Sequence, residues 1–207
     1  MGVEADVPLR CACGSLSGAL RGASPRSVNR VVCHCDDCQA FADFLEQGDA
    51  TLDAAGGTEI YQLSPARLAW TAGTDRLACL RLRADGLLRW YSACCRTPLA
   101  NTLARGGLPF AGLIHRCVDL PPGVDREAVF GPVRARLFGR FARGEGAPDA
   151  HPGVPVAQML KLGGRVLAAR LRGEQRRSPF FGSDGGPVAE PRVLPAEALA
   201  ALRGRRV

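Results

Sequence analysis

The chain has 207 residues, 46% of them hydrophobic and 23% charged, a composition that reads as globular and excludes a disordered or fibrous class. Its longest apolar runs fall far short of the roughly 18–20 residues a spanning helix needs, and MGVEADVPLR has no apolar signal core, so a cytoplasmic protein is expected. The net charge of +7 is uneven: residues 1–125 carry 12 basic and 13 acidic side chains, and residues 126–207 carry 15 and 7.

In chain order, short alternating runs at 16–20 (LSGAL), 28–32 (VNRVV) and 58–63 (TEIYQL) predict strands, with Gly, Pro, Asn and Asp between them. QAFADFLE (39–46) predicts a short helix. The runs 77–83 (LACLRLR) and 87–91 (LLRWY) flank Asp85-Gly86 and predict an antiparallel hairpin, with Leu80 and Leu82 toward the core and Arg81 and Arg83 toward solvent. AGLIHRCV (111–118) predicts a further strand, on which His115 and Cys117 share a face. After Pro121-Pro122 the spacing turns helical at 125–143, interrupted by Gly131-Pro132, and again at 155–173 and 195–203, with Pro195 in a first turn. Residues 144–154 read as a loop and 178–194 as extended and irregular. The expected fold is mainly β: a domain over 8–120 followed by a basic, mostly helical extension over 121–207 that packs on it.

Nine cysteines are many for a reducing compartment, and seven of them cluster. Cys11-Ala-Cys13-Gly14 is a CxC pair, Cys33-His-Cys35-Asp-Asp-Cys38 joins a CxC to a CxxC, and Cys94-Cys95-Arg-Thr-Pro closes the set. Neighbours this close bridge poorly as disulfides, whereas their thiolates suit zinc, a borderline-soft tetrahedral ion. Only Cys79 and Cys117 stand apart.

These motifs, CACGSLSG, VVCHCDDCQAF and CCRTPLAN, resemble the glutathione-dependent formaldehyde-activating enzyme family, which also includes the centromere-protein-V-like proteins. The resemblance covers roughly the first 120 residues. It implies an Mss4-like β-tent fold with two zinc sites. One is structural and takes Cys11, Cys13 and Cys95; the other is catalytic, with an open position, and takes Cys33, Cys35 and Cys38. The implied activity is carbon–sulfur lyase chemistry, the reversible condensation of formaldehyde with glutathione to S-hydroxymethylglutathione. Two residues depart from the family's closing CxxCG: Ser92 stands at its first cysteine and Arg96 at its glycine, which leaves Cys94 as the substitute fourth ligand on a rearranged turn.

Around the open site, Asp36 and Asp37 are expected to bond backbone N–H groups of the CxxC turn, and His34 to point away from the cysteines. His115 and Cys117 are minor contenders for the fourth position, otherwise filled by water or a substrate oxygen. Arg81, Arg83, Arg89 and Arg96 either meet substrate carboxylates or are solvated. The expected partner is a small thiol adduct such as a glutathione conjugate, with homodimer formation left open. The alternative is a non-catalytic, zinc-stabilised module whose basic extension binds an anionic nucleic acid or membrane surface.

Overall fold

The computed structural model describes residues 4–144 and 146–204. It opens with β1 (Ala5–Arg10), β2 (Ser17–Ala23), β3 (Asn29–Cys33), helices α1 (Asp36–Phe44) and α2 (Gly48–Thr51), then β4 (Thr58–Leu63) and β5 (Leu68–Ala72). It continues through β6 (Leu77–Arg81), β7 (Leu88–Ser92), β8 (Pro98–Thr102), β9 (Ala111–Ile114), α3 (Arg126–Phe130) and β10 (Ala135–Leu137). It ends with α4 (Val156–Leu171), β11 (Pro191–Val193) and α5 (Ala196–Gly204). The fold is mainly β. One sheet runs β1-β2-β5 and the other β10-β3-β4-β9-β8-β7-β6-β11. No helix among the described residues is long and apolar enough to cross a membrane.

The large sheet is buried on both faces. Toward the small sheet, Tyr61, Leu88, Trp90, Leu113 and Cys79 pack with Val7, Leu9, Leu20 and Leu68 in the main core. The opposite face meets α1 and α5 through Leu80, Leu82 and Ile114 against Phe41, Leu45, Leu199 and Leu202. The remainder of that face floors a cavity. Registers Asn29↔Gln62, Gln62↔Gly112, Asn101↔Gly112 and Arg89↔Asn101 set one row of residues side by side across β3, β4, β9, β8 and β7. Strand side chains alternate faces, so this whole row points the same way.

The hairpin over 77–91 forms, with Leu80 and Leu82 buried and Arg83 exposed. Its tip is a turn in which Gly86 N–H donates to Arg83 O. Other elements differ from expectation. The strand at 111–118 stops at Ile114, and His115–Cys117 forms a 3₁₀ turn, so His115 and Cys117 do not share a strand face. The helical stretch at 125–143 is helix only over α3; Gly131, at φ 78°, ends it. The alternating VRARLF then extends along the open edge of β3 as parallel strand β10, with Leu137 opposite Cys33. Its backbone finds partners on both sides: His34 N–H donates to Leu137 O on the β3 side, and His151 N–H donates to Arg136 O on the other. The segment after residue 120 is therefore of mixed structure: it holds three helices, and two strands, β10 and β11, that form the outer edges of the large sheet.

Candidate metal centres

The first cluster joins the β1–β2 turn to the β7–β8 turn. Sγ atoms of Cys11, Cys13, Cys94 and Cys95 all lie within 4.8 Å of one another. Cys13 to Cys94 is 3.4 Å, Cys11 to Cys13 3.5 Å, Cys11 to Cys94 3.8 Å and Cys94 to Cys95 4.0 Å. Four thiolates about 2.3 Å from one tetrahedral ion stand about 3.8 Å apart, so the four sulfurs fit a zinc ion. The backbone supports the arrangement: Leu16 N–H donates to Cys11 Sγ at 3.3 Å.

Ser92 is outside the four-sulfur group but holds its turn. Its hydroxyl lies 3.3 Å from Cys95 Sγ and accepts from Thr97 N–H at 3.1 Å. Arg96 adopts the glycine-like conformation itself, at φ 58°. Its side chain compensates by donating to Phe44 O at 2.9 Å, pairing with Glu46 at 2.9 Å and lying over the Phe44 ring. As free thiols the cluster titrates unevenly. Burial raises Cys95, but bonds from Ser92 and Thr97 outweigh it and hold the thiol at about 5, whereas burial and the bond with Cys13 push Cys94 up to about 12.

The second cluster is Cys33, Cys35 and Cys38, again with sulfurs within 4.8 Å. Cys33 ends β3. Cys35 is the N-cap of α1, its Sγ accepting from Cys38 N–H at 3.4 Å, so the helix begins inside the cysteine cluster, three residues before the expected start. Cysteine is not among the usual capping residues, which hid this boundary from the sequence. Cys38 favours the thiolate: it accepts hydrogen bonds from Cys33 and Cys35 and faces Arg89, which together hold it well below the ordinary thiol value. A bond from Cys33 pulls Cys35 down, but the bond to Cys38 and burial prevail and lift it to about 12. Cys33 is pushed up by its bonds to Cys35 and Cys38 and by burial.

Arg89 is neither solvated nor at the surface but 2% exposed, on the row that floors the cavity. Its guanidinium lies 3.9 Å from Cys38 Sγ, donates to Asn101 Oδ1 at 3.2 Å, stands 3.7 Å from Asp37 and covers the Phe41 ring. Three thiolates and one zinc ion sum to −1, and Arg89 brings that to zero inside a buried site where an unpaired charge is costly. Asp37 also departs from expectation: its carboxylate pairs with Arg83 at 2.9 Å and Arg203 at 2.7 Å, and Asp36 pairs with Arg203 at 2.9 Å. These acids stand in the first turn of α1, where the helix dipole favours them, and tie it to α5.

His34 is fully buried, its Nδ1 3.2 Å from Leu137 O, and its ring is not part of the cysteine group. His115 and Cys117 lie outside the group as well. His115 turns to Glu59 O at 3.3 Å, and Cys117 Sγ donates to Ile114 O at 3.2 Å. Among the described residues the second cluster therefore has three cysteines and no fourth protein ligand from the set above.

That second cluster opens on a cavity of about 430 Å³. The floor is the row Gln62, Gly112, Asn101 and Arg89, and Leu137, Phe138, Phe141, Val154 and Leu162 from the C-terminal segment complete the lining with apolar surface. A side chain at Gly112 would meet Ile60 at 3.0 Å, so glycine keeps the floor open. Gln39 fixes the wall: its Nε2 donates to His34 O at 2.6 Å and to Phe141 O at 2.9 Å, and its Oε1 accepts from Arg143 at 2.5 Å. At the first cluster, Cys11 lines a smaller cavity of about 130 Å³. Leu137, Phe138 and Phe141 fall in a stretch whose spacing predicts helix, Val154 in a predicted loop and Leu162 in a helix that forms, so no local pattern gathers them into one wall. Arg89 has a local sign in its place between Leu88 and Trp90, in a run with no polar alternation.

No curated protein matches the chain. A family model matches residues 3–192, nearly the whole length, and on that ground the chain belongs to a family of unknown function, DUF6151.

Proposed function

We propose that the protein is a zinc-dependent carbon–sulfur lyase of Mss4-like β-tent architecture, acting on a thiol–aldehyde adduct of the S-hydroxymethylglutathione kind. The observation that carries this reading is the contrast between the two clusters. Four sulfurs close around one point at Cys11, Cys13, Cys94 and Cys95, while Cys33, Cys35 and Cys38 leave a position facing the cavity. Zinc in the second centre supplies a Lewis acid, weakened by three thiolates, that suits polarising a small hydroxyl rather than driving hydrolysis. Arg89 neutralises the centre and Asn101 is oriented by it, which leaves the Asn101 amide N–H groups to a substrate. Apolar walls exclude water from the adduct. In the cleavage direction R–S–CH₂–OH loses its hydroxyl proton, the C–S bond breaks, and the sulfur leaves as a thiol with formaldehyde as co-product; nothing is oxidised or reduced. Zinc-loaded protein is to be assayed for S-hydroxymethylglutathione formation against the uncatalysed exchange. A rate above background that is lost in Cys35→Ser supports the reading, and no excess rate with any of several thiols overturns it.

A second reading, a non-catalytic module for an anionic partner, draws on α4, which exposes Val156, Met159, Leu160, Leu167 and Leu171 within the basic segment. It predicts binding to nucleic acid or anionic vesicles that weakens with salt. Point variants on α4 test it, because deleting residues 126–207 would also remove β10 and β11 from the sheet. No binding at low salt removes it.

A further inference from the structure

A second cavity, of about 220 Å³, lies between α4 and the loops that precede β3 and β5. Arg26, Arg67 and Arg165 line it together with Ser64, Arg172 and Glu174. Glu174 is taken by Arg172 at 2.6 Å. No salt bridge joins Arg26, Arg67 or Arg165 to an acid among the described residues. Arg165 Nη2 donates to Arg26 O at 3.0 Å, but its Nη1 is buried with no hydrogen-bond partner among the described residues. Burial, and then the nearby Arg134, pull the Arg165 guanidinium below its ordinary value. Positive charge is thus gathered in a concave site without its counter-charge. A planar guanidinium is matched by a carboxylate or phosphate, which accepts two parallel N–H bonds.

Position gives this pocket its meaning. Gln62, Phe110 and Leu162 line both it and the cavity of the three-cysteine centre, so the two are neighbours across these three side chains. We propose that they form one binding site for an elongated thiol: its sulfur-bearing end lies at Cys33, Cys35 and Cys38, an apolar stretch passes Phe110 and Leu162, and a terminal carboxylate or phosphate is held by Arg26, Arg67 and Arg165. This rests on the three-cysteine centre being the substrate end, and it adds the substrate class.

Calorimetry on the zinc-loaded full-length protein tests it with hexane-1-thiol, 6-mercaptohexanoate and 6-mercaptohexyl phosphate. At least one anionic thiol is expected to bind about tenfold or more tightly than hexane-1-thiol, and which of the two gains more identifies the oxyanion. Arg165→Gln together with Arg26→Gln abolishes the gain and leaves hexane-1-thiol unchanged. Leu162→Trp, which narrows the junction, abolishes it too while inorganic phosphate still binds. Equal affinity of all three thiols in the natural protein overturns the proposal, as does a gain that survives the arginine substitutions. If no thiol binds at all, the reading of the cysteine centre fails and the joined site with it; inorganic phosphate binding that disappears in Arg165→Gln then marks an anion pocket alone.

Discussion

Arg89 carries more consequence than its side chain suggests in sequence. A buried guanidinium beside Cys38 would cancel the surplus charge of three thiolates around one zinc ion, and partners of this kind typically affect metal affinity by roughly 10–100-fold. Arg89→Gln is expected to weaken zinc at the second centre by about that factor while leaving the first unchanged, which competition with a chromogenic chelator reads directly. His115 offers a different residue-scale test. Burial holds its imidazole below the ordinary value against the pull of Glu59, so the folded chain keeps it neutral where the unfolded chain takes a proton. The contribution is whole above about pH 6.5 and is lost as pH falls through the folded value. Thermal melts across that window should show a decline that His115→Gln flattens; an unchanged slope contradicts the assignment.

At the scale of elements, the SACCRTP turn and the start of α1 show how local rules are overridden. Arg96 holds a left-handed backbone that costs a non-glycine residue about 1 kcal/mol, and contacts with Phe44 and Glu46 sustain it. Arg96→Ala keeps the strain and loses the contacts, whereas Arg96→Gly loses both. The glycine variant should therefore be more stable than the alanine variant by about 1 kcal/mol, measured by denaturant unfolding of zinc-loaded protein. The cysteine spacings, the hairpin and α4 were legible because each is a local pattern. β10 was not, since an alternating VRARLF next to Gly-Pro becomes a strand only when an open β3 edge is available to it. β8 was missed for a similar reason: PLANT looks like a loop, yet Pro98 sits at the first strand position, where a missing N–H costs little. The only local sign of Arg89's burial is its place between Leu88 and Trp90; what buries it is the covering of both faces of the large sheet.

The whole molecule explains why the part that carries the cysteine clusters and the basic segment belong together. β10 and β11 close opposite edges of the large sheet, Gln39 ties residue 141 to the start of α1, and the C-terminal segment walls the cavity. A chain ending at residue 125 is expected to expose the β3 and β6 edges and apolar sheet surface, to aggregate, and to bind a hydrophobic dye that the full chain excludes. A soluble, cooperatively folding 1–125 fragment contradicts that. The central claim is that there are two independent centres, one closed and one open to a cavity. Zinc per chain, measured by mass spectrometry of the purified protein and of Cys35→Ser, tests it most directly. Two ions falling to one, with the fold retained, is the predicted result; a single ion in both proteins contradicts the account.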